Sequence, residues 1–262
     1  MESRAHPPKK RLGQHFLKDP NTARIVADGV TKDDVVLEIG PGRGFLTTFL
    51  AERAKLVHAV EFDPDMLTAL HNTISKYENV LVHPGEALSF DYAGLDPSPG
   101  KLVANLPYNI ASPLILKLLE EQDSINVMRF MVQYEVARRM VAERGSKDYA
   151  AYAVLVQLFT TVRFVHKVSP NVFYPPPRVD SAVVEMKRRE DGPLHVNYDG
   201  VKNLVLAAFK SRRKQLVNNL PEPVRGEAPQ ALRRLGHGAG ARAEELAPED
   251  FVALYRELSW AL

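Results

Sequence analysis

The chain has 262 residues, of which 45% are apolar and 25% charged, and its formal net charge at pH 7 is +2. It contains no cysteine, which excludes disulfides, thiol nucleophiles, iron–sulfur clusters and thiolate zinc sites. The eight histidines are scattered without metal-binding spacing, so the sequence predicts no metal site.

The hydropathy pattern indicates a globular protein that does not enter a membrane. No stretch approaches the roughly 18 consecutive apolar residues of a membrane span. The N-terminal stretch MESRAHPPKKRLG carries charges where a signal peptide needs an apolar centre. We therefore expect a cytoplasmic protein, and the apolar content is sufficient for a packed core.

The basic residues are clustered although the net charge is small. Clusters of this kind favour a polyanion such as nucleic acid as the partner, with solvated surface faces as the alternative for any single cluster. The clusters are Lys9–Arg11, Arg138–Arg139, Lys187–Arg189 and Lys210–Lys214.

Strand and helix patterns alternate along the first part of the chain. A helix is predicted near residues 21–30, and β-branched or apolar runs that indicate strands begin near residues 35, 55, 79 and 101. Apolar residues at helical intervals follow at 45–54, 63–77 and 112–122. The mixed pattern continues from 126 to 168, and an alternating strand covers 179–189. This order predicts an α/β fold with a mostly parallel sheet covered on both faces.

The pattern changes near Pro193. Three helices separated by Pro- and Gly-containing turns are predicted, at 198–220, 229–236 and 248–258. We therefore predict two domains, an α/β domain at 1–192 with a basic N-terminal arm and a small all-helical C-terminal domain at 193–262.

A glycine-rich loop, GPGRG at residues 40–44, lies between the first long strand and the following helix. Small residues at a helix N-terminus let the backbone approach a ligand, although many such loops are ordinary tight turns. The next strand ends in Glu61, at the spacing where an acidic residue binds ribose hydroxyls. The glycine-rich loop and Glu61 together predict a nucleotide-like cofactor, with Gly40 and Gly42 in the loop that binds it.

Two cofactor chemistries fit this loop. A dinucleotide would place its pyrophosphate there, but the spacing is Gly-x-Gly-x-Gly and Glu38 precedes it. A carboxylate repels a pyrophosphate and suits a cationic cofactor without phosphate, such as S-adenosylmethionine. Glu86 follows the third strand, where it could accept a hydrogen bond from adenine; the alternative is a solvated loop glutamate.

The fourth strand ends in Asn105-Leu106-Pro107-Tyr108, at the same edge of the predicted sheet as the glycine-rich loop and Glu61. The amine of a nucleobase is a poor nucleophile because its lone pair is delocalised, so a site that accepts hydrogen bonds from its N–H groups would activate it. The Asn105 side-chain oxygen and the Leu106 carbonyl are suitable acceptors, and Pro107 fixes the backbone between them and Tyr108. Tyr108 offers a flat face for a base removed from its stack.

Five segments of the chain resemble blocks of the ribosomal RNA adenine N6,N6-dimethyltransferase family, in the family's order. The resemblance covers nearly the whole chain and is strongest to the bacterial small-subunit members, which dimethylate two adjacent adenosines in the hairpin near the 3′ end of 16S rRNA. It implies a Rossmann-like methyltransferase domain that uses S-adenosylmethionine. The blocks are GQHFL (13–17), LEIGPGRGFLT (37–47), VEFDPDM (60–66), NLPYNI (105–110) and FYPPPRVDSAVV (173–184).

The resemblance also assigns individual roles. It implies that Phe173 stacks on the target base opposite Tyr108, with core packing as the alternative for Phe173. Two positions depart from the family pattern, since His15 replaces an asparagine and Glu86 an aspartate. The implied cofactor contacts are His15, Leu17, Gly40, Glu61, Glu86 and Asn105.

The remaining implications concern the partner. Lys210, Arg212, Arg213 and Lys214 are predicted to form the basic end of a packed helix that meets RNA phosphate. The expected substrate is 16S rRNA in the immature small subunit, bound by a monomer. Two alternatives stay open, a 23S rRNA methyltransferase of the macrolide-resistance type and a non-enzymatic assembly or transcription factor on the same fold.

Overall fold

A computed structural model of the chain describes residue 9 and residues 13–190, 192 and 197–258. The chain forms two compact units. The first combines the chain up to Ala137 with Val162–Lys187, and the second combines Arg138–Thr161 with the chain from Arg188 onward.

A seven-stranded sheet dominates the first unit. Its strand order is β4-β3-β2-β5-β6-β9-β7, with parallel pairing from β4 through β6 and antiparallel pairing of β6 with β9. The central strands are buried because helices cover the sheet. The strands are β2 (Val35–Ile39), β3 (Leu56–Glu61), β4 (Val80–Pro84), β5 (Lys101–Asn105), β6 (Val127–Gln133), β7 (Thr160–Val168) and β9 (Ser181–Arg188).

The connections between the strands are mainly helical. Asp19 and Asp63 cap two of the helices, each accepting a hydrogen bond from a backbone N–H of the first turn. The helices that precede β7, in chain order, are α1 (Pro20–Val26), α2 (Phe45–Ala51), α3 (Pro64–Ile74), α4 (Ala111–Glu121), α5 (Tyr134–Met140) and α6 (Ala151–Phe159).

A second, two-stranded sheet ties the N-terminal arm to the FYPPP segment. It pairs β1 (Phe16–Leu17) with β8 (Phe173–Tyr174) in antiparallel register. The arm is thereby held next to the carboxyl ends of the parallel strands, where the cavity described below lies.

Helices make up the C-terminal part of the second unit. Residues 197–258 contain no strand, and their helices are α7 (Tyr198–Ala208), α8 (Val224–Arg234) and α9 (Pro248–Leu258). The mostly parallel sheet and this helical part confirm the predicted fold class. Residues 138–161, which the sequence analysis placed in the domain 1–192, pack in the second unit because the apolar α6 lies against α7 and α9.

The long helix predicted at 198–220 is shorter than expected. It ends at Ala208, and a 3-10 turn at Leu216–Asn219 follows. Asn219 explains the end, since its Nδ2 donates to the carbonyls of Ala208 (2.7 Å) and Ser211 (3.0 Å), which satisfies acceptors that a continuing helix would use. No helix within the described ranges is long and apolar enough to cross a membrane.

Candidate functional site

A cavity of about 470 Å³ lies at the carboxyl ends of the parallel strands. The chain runs from β2 outward through β3 and β4, then returns to the other side of β2 with β5, and ligands of open α/β sheets bind at such a switch point. The predicted site residues that line the cavity are His15, Leu17, Gly40, Gly42, Glu61, Glu86, Asn105, Leu106, Pro107 and Tyr108.

Glu61 ends β3 and is held by three backbone N–H groups. Its Oε2 accepts from Gly42 (3.0 Å), and its Oε1 accepts from Phe62 (2.9 Å) and Asp63 (2.8 Å). Burial raises the pKa of Glu61, and the three hydrogen bonds partly oppose this rise. The carboxylate is therefore fixed in the cavity wall, and it also fixes the glycine loop through Gly42.

Glu38 lies at the end of β2, 1% exposed. Burial, with the negative charge of Glu61 nearby, raises the pKa of Glu38 to about 8. Its Oε2 is buried and has no hydrogen-bond partner among the described residues. Because it also lines the cavity, a cationic ligand group beside it would favour the charged form of Glu38.

Glycine is required where the loop meets its neighbours. Gly40 has a φ of +69°, and an added Cβ would lie 3.1 Å from Cγ of Pro107. Gly42 has a φ of +56°, and its Cβ would lie 3.0 Å from the ring of Phe16. Side chains at these positions would be strained and crowded, so the loop, the arm and the turn after β5 pack against one another only with glycine.

The N-terminal arm closes one side of the cavity through Asp63. Lys9 Nζ and Gln14 Nε2 donate to the two oxygens of this carboxylate at 2.6 and 2.9 Å. Burial disfavours the charge of Asp63, but these bonds and the charge of Lys9 outweigh it and lower the Asp63 pKa. Lys10 and Arg11 of the predicted basic cluster lie outside the described residues.

Asn105 has a fixed orientation at the end of β5. Its Nδ2 donates to the carbonyl oxygen of His15 at 3.1 Å. Its Oδ1 is buried and has no hydrogen-bond partner among the described residues. A buried acceptor of this kind costs free energy unless a ligand satisfies it, so Asn105 presents an acceptor to a donor bound in the cavity.

Tyr108 is held at its ring and at its hydroxyl. The His15 ring stacks on it, with centroids 5.6 Å apart and planes 28° from parallel, and the Tyr108 hydroxyl is hydrogen-bonded to Ser181 Oγ. His15 Nδ1 lies 2.7 Å from the carbonyl of Pro175; since a carbonyl only accepts, the proton is on Nδ1. The side chain of His15 therefore contacts protein through both its ring face and its Nδ1.

The stacking role predicted for Phe173 does not fit its position. Phe173 is 1% exposed and packs in the core with Leu17 and Val168, as the core-packing alternative predicted. In the register of β1 with β8 the next side chain, Tyr174, faces outward, is 56% exposed and lines the cavity. Tyr174 is therefore the aromatic ring that this segment offers to a ligand.

We expect Phe173 substitutions to act on stability. Phe173→Ala should lower the free energy of unfolding by about 3–5 kcal/mol, the range for a buried phenylalanine. Phe173→Leu, which keeps most of the volume, should cost less than about 1.5 kcal/mol. Urea denaturation measures both values, and a Phe173→Ala variant as stable as the parent chain would contradict core packing.

The predicted basic end of helix 198–220 is a turn that follows α7. Lys210, Arg213 and Lys214 are exposed there. Arg212 instead has a structural role, since its Nε contacts Glu244 at 2.7 Å and its guanidinium also donates to the carbonyls of Ser146 and Lys147. Across the described residues, no three His, Asp or Glu side chains are grouped closely enough to hold a metal ion.

Sequence reasoning missed three residues of this site. Phe62 is 54% exposed and lines the cavity; its place directly after Glu61, the residue predicted to bind ribose, was an available signal. Tyr174 is adjacent to Phe173, the residue of the FYPPPRVDSAVV segment that was predicted to stack on the base. Ser181 carried no signal, because a serine at the start of a strand has many ordinary roles.

The chain matches the family described as Ribosomal RNA adenine dimethylase over residues 5–259. It is 65% identical to the Ribosomal RNA small subunit methyltransferase A of Rubrobacter xylanophilus, covering 99% of this chain and 98% of the relative. It is 40% identical to the protein of the same name from Natranaerobius thermophilus, covering 95% and 91% of the two chains.

Two solved structures are similar over most of the chain. One is a dimethyladenosine transferase from Plasmodium falciparum, with a TM-score of 0.83 and 29% identity over 94% of this chain and 98% of that one. The other is the 23S rRNA methyltransferase ErmE, with a TM-score of 0.71 and 29% identity over 93% and 99%.

Proposed function

The chain belongs to the ribosomal RNA adenine dimethylase family, and from this membership we propose that it dimethylates N6 of two adjacent adenosines in the hairpin near the 3′ end of 16S rRNA. S-adenosylmethionine is the methyl donor. The observation that carries the proposal is the buried, unpartnered Oδ1 of Asn105 in a cavity whose wall contains buried carboxylates.

The cavity lining fits S-adenosylmethionine. Glu61, fixed by three backbone N–H groups, would accept from the ribose hydroxyls, and Glu38 offers its unpartnered Oε2 to a cationic group. Phe62 and Glu86 would meet the adenine, one by its apolar face and the other by hydrogen bonding. When bound, the cofactor supplies a methyl group on a sulfonium whose leaving group is a neutral thioether.

The turn after β5 would activate the target amine. Asn105 Oδ1 would accept a hydrogen bond from one N–H of the adenine amine, and the Leu106 carbonyl would accept from the other. Hydrogen bonds accepted from both N–H groups favour a pyramidal amine nitrogen with a directed lone pair. Donors and acceptors fixed before the reaction need no rearrangement during it, and Asn105 is fixed in this way by the carbonyl of His15.

Tyr108 would support the flipped adenine. One face of its ring lies against His15, which leaves the opposite face for the base. Burial raises the pKa of Tyr108 to about 12, so the phenol stays neutral and does not act as a base at physiological pH. No base is required, because the nitrogen of the adenine amine becomes cationic and acidic after methyl transfer and loses its proton to water.

The partner is proposed to be the immature small ribosomal subunit in the cytoplasm, bound by a monomer. Lys210, Arg213 and Lys214 are exposed on one turn and suit RNA phosphates. The helical residues 193–262 then act in RNA binding, and residues 1–192 in methyl transfer.

The two alternatives are less well supported. The relatives at 40–65% identity are named for the small subunit, and the 23S enzyme is structurally less similar than the dimethyladenosine transferase. A purely structural factor does not need an oriented Asn105 beside a carboxylate-lined cavity.

The proposal predicts the product. Incubation with methyl-labelled S-adenosylmethionine and unmethylated small subunits should place four methyl groups per subunit, two on each of two neighbouring adenosines. Unmethylated large subunits serve as the matched control. Label in large-subunit RNA alone, or no label in either, would refute the assignment.

A further inference from the structure

Ser181 lies at the first position of β9, next to the reacting edge of the sheet. β9 runs antiparallel to β6, with Ser181 opposite Gln133, so its first residue meets the carboxyl ends of β5 and β6. Ser181 is 0% exposed, and its Oγ lies 2.5 Å from the Tyr108 hydroxyl. A hydrophilic side chain is therefore buried at the start of an otherwise mainly apolar strand, with the tyrosine hydroxyl within hydrogen-bonding distance.

We propose that Ser181 is a positioning residue for methyl transfer, which acts by fixing the ring of Tyr108 through the hydroxyl at its far end. Pro107 restrains the backbone before Tyr108, but a tyrosine ring still turns about its side-chain bonds. The hydrogen bond to Ser181 fixes the position of the Tyr108 hydroxyl and so the direction in which the ring points, while the stacked His15 ring holds the tilt.

The direction of the ring matters because it sets where the stacked adenine lies. The adenine amine must meet Asn105 Oδ1, which is itself fixed by His15. A displacement of about 1 Å at a reacting group can cost about 10²-fold in rate. Ser181 thus connects a buried strand to the geometry of the amine, without touching the substrate. This inference rests on the proposed function, because it assumes that Tyr108 stacks on the adenine.

Single-turnover methyl transfer to unmethylated small subunits, at saturating cofactor, tests the inference. We expect Ser181→Ala to lower the rate about tenfold, the scale of one lost hydrogen bond, with unchanged affinity for S-adenosylmethionine. Ser181→Thr keeps the hydroxyl and should restore most of the rate. Thr160→Val is the matched control, since it removes another buried hydroxyl, bonded to the Val156 carbonyl.

The double variant decides whether Ser181 acts through Tyr108. Tyr108→Phe removes the same hydrogen bond from the other side, so it should also lower the transfer rate about tenfold. The double variant Tyr108→Phe/Ser181→Ala should then lose about tenfold in rate, and not the hundredfold expected of two independent losses. The double variant also removes both polar partners, which keeps the fold testable if Ser181→Ala alone is unstable.

Two results would overturn the inference. One is a Ser181→Ala variant that transfers methyl groups at the parent rate. The other is a double variant whose loss is the product of the single losses, because Ser181 would then act independently of Tyr108. Absence of transfer by the parent chain would instead refute the proposed function, so the two failures are distinguishable.

Discussion

Replacement of Asn105 by alanine is expected to lower the rate of methyl transfer by about 10²–10³-fold, the usual effect of removing one fixed polar group that supports a transition state. The reason is the orientation of the amide. Nδ2 is occupied by the His15 carbonyl, and Oδ1 is the buried atom without a partner among the described residues. Alanine removes the acceptor that the adenine amine would use.

The affinity for the cofactor separates this role from cofactor binding. With Asn105→Ala, the dissociation constant for S-adenosylmethionine should stay within about tenfold of the parent value, or 1.4 kcal/mol, because the arm remains tied to Asp63 and β8. Asn126→Ala is the matched control, since Asn126 is exposed and does not line the cavity. A loss of affinity as large as the loss of rate would show that Asn105 is mainly a cofactor ligand.

Replacement of Glu61 by glutamine is expected to weaken cofactor binding by about 100-fold, or 2.8 kcal/mol. The carboxylate accepts hydrogen bonds from Gly42, Phe62 and Asp63 on its two oxygens. An amide nitrogen cannot accept, so glutamine leaves at least one buried N–H unsatisfied, at a cost of about 1–3 kcal/mol. It also removes the acceptor proposed for the ribose and releases the loop at Gly42.

Calorimetric titration with S-adenosylmethionine measures this loss. Glu121→Gln is the matched control, because Glu121 is exposed and pairs with Lys117 on the surface of α4. It should bind the cofactor as the parent chain does. Parent-like binding by Glu61→Gln would exclude Glu61 from the cofactor site.

The residues at the carboxyl ends of the parallel strands could be predicted from the sequence because local features mark them. Gly40, Glu61 and Asn105 each mark the end of a strand pattern, and the ends of parallel strands share one edge of a sheet. The cavity that these residues line therefore follows from the strand order together with the positions of a few polar residues. Glu38 was also recognised, since a carboxylate before the loop is visible in the sequence.

The features that the sequence did not predict depend on contacts between distant segments. Phe173 and Tyr174 are adjacent aromatics on a two-residue strand, and pairing with β1 decides which of them faces the core; a slip of one residue would exchange them. The end of α7 depends on Asn219, which lies beyond it. Ser181 gains its role only from the antiparallel pairing that brings β9 to Tyr108.

The division of the chain into two units also depends on contacts between distant segments. Residues 138–161 contain the apolar helix α6, and a helix of this composition can be covered by either unit. Its packing against α7 and α9 places it in the second unit. The periodicity of a helix predicts that it will be buried, but not which partner will bury it.

The position of the methyl groups on ribosomal RNA tests directly whether this chain dimethylates 16S rRNA. Methylated adenosines would be mapped on RNA from cells that lack this chain, and again after restoration of the parent chain or of Asn105→Ala. Two adjacent dimethyladenosines near the 3′ end of 16S rRNA should disappear with the chain and return only with the parent chain. Their persistence without the chain, or their return with Asn105→Ala, would contradict it.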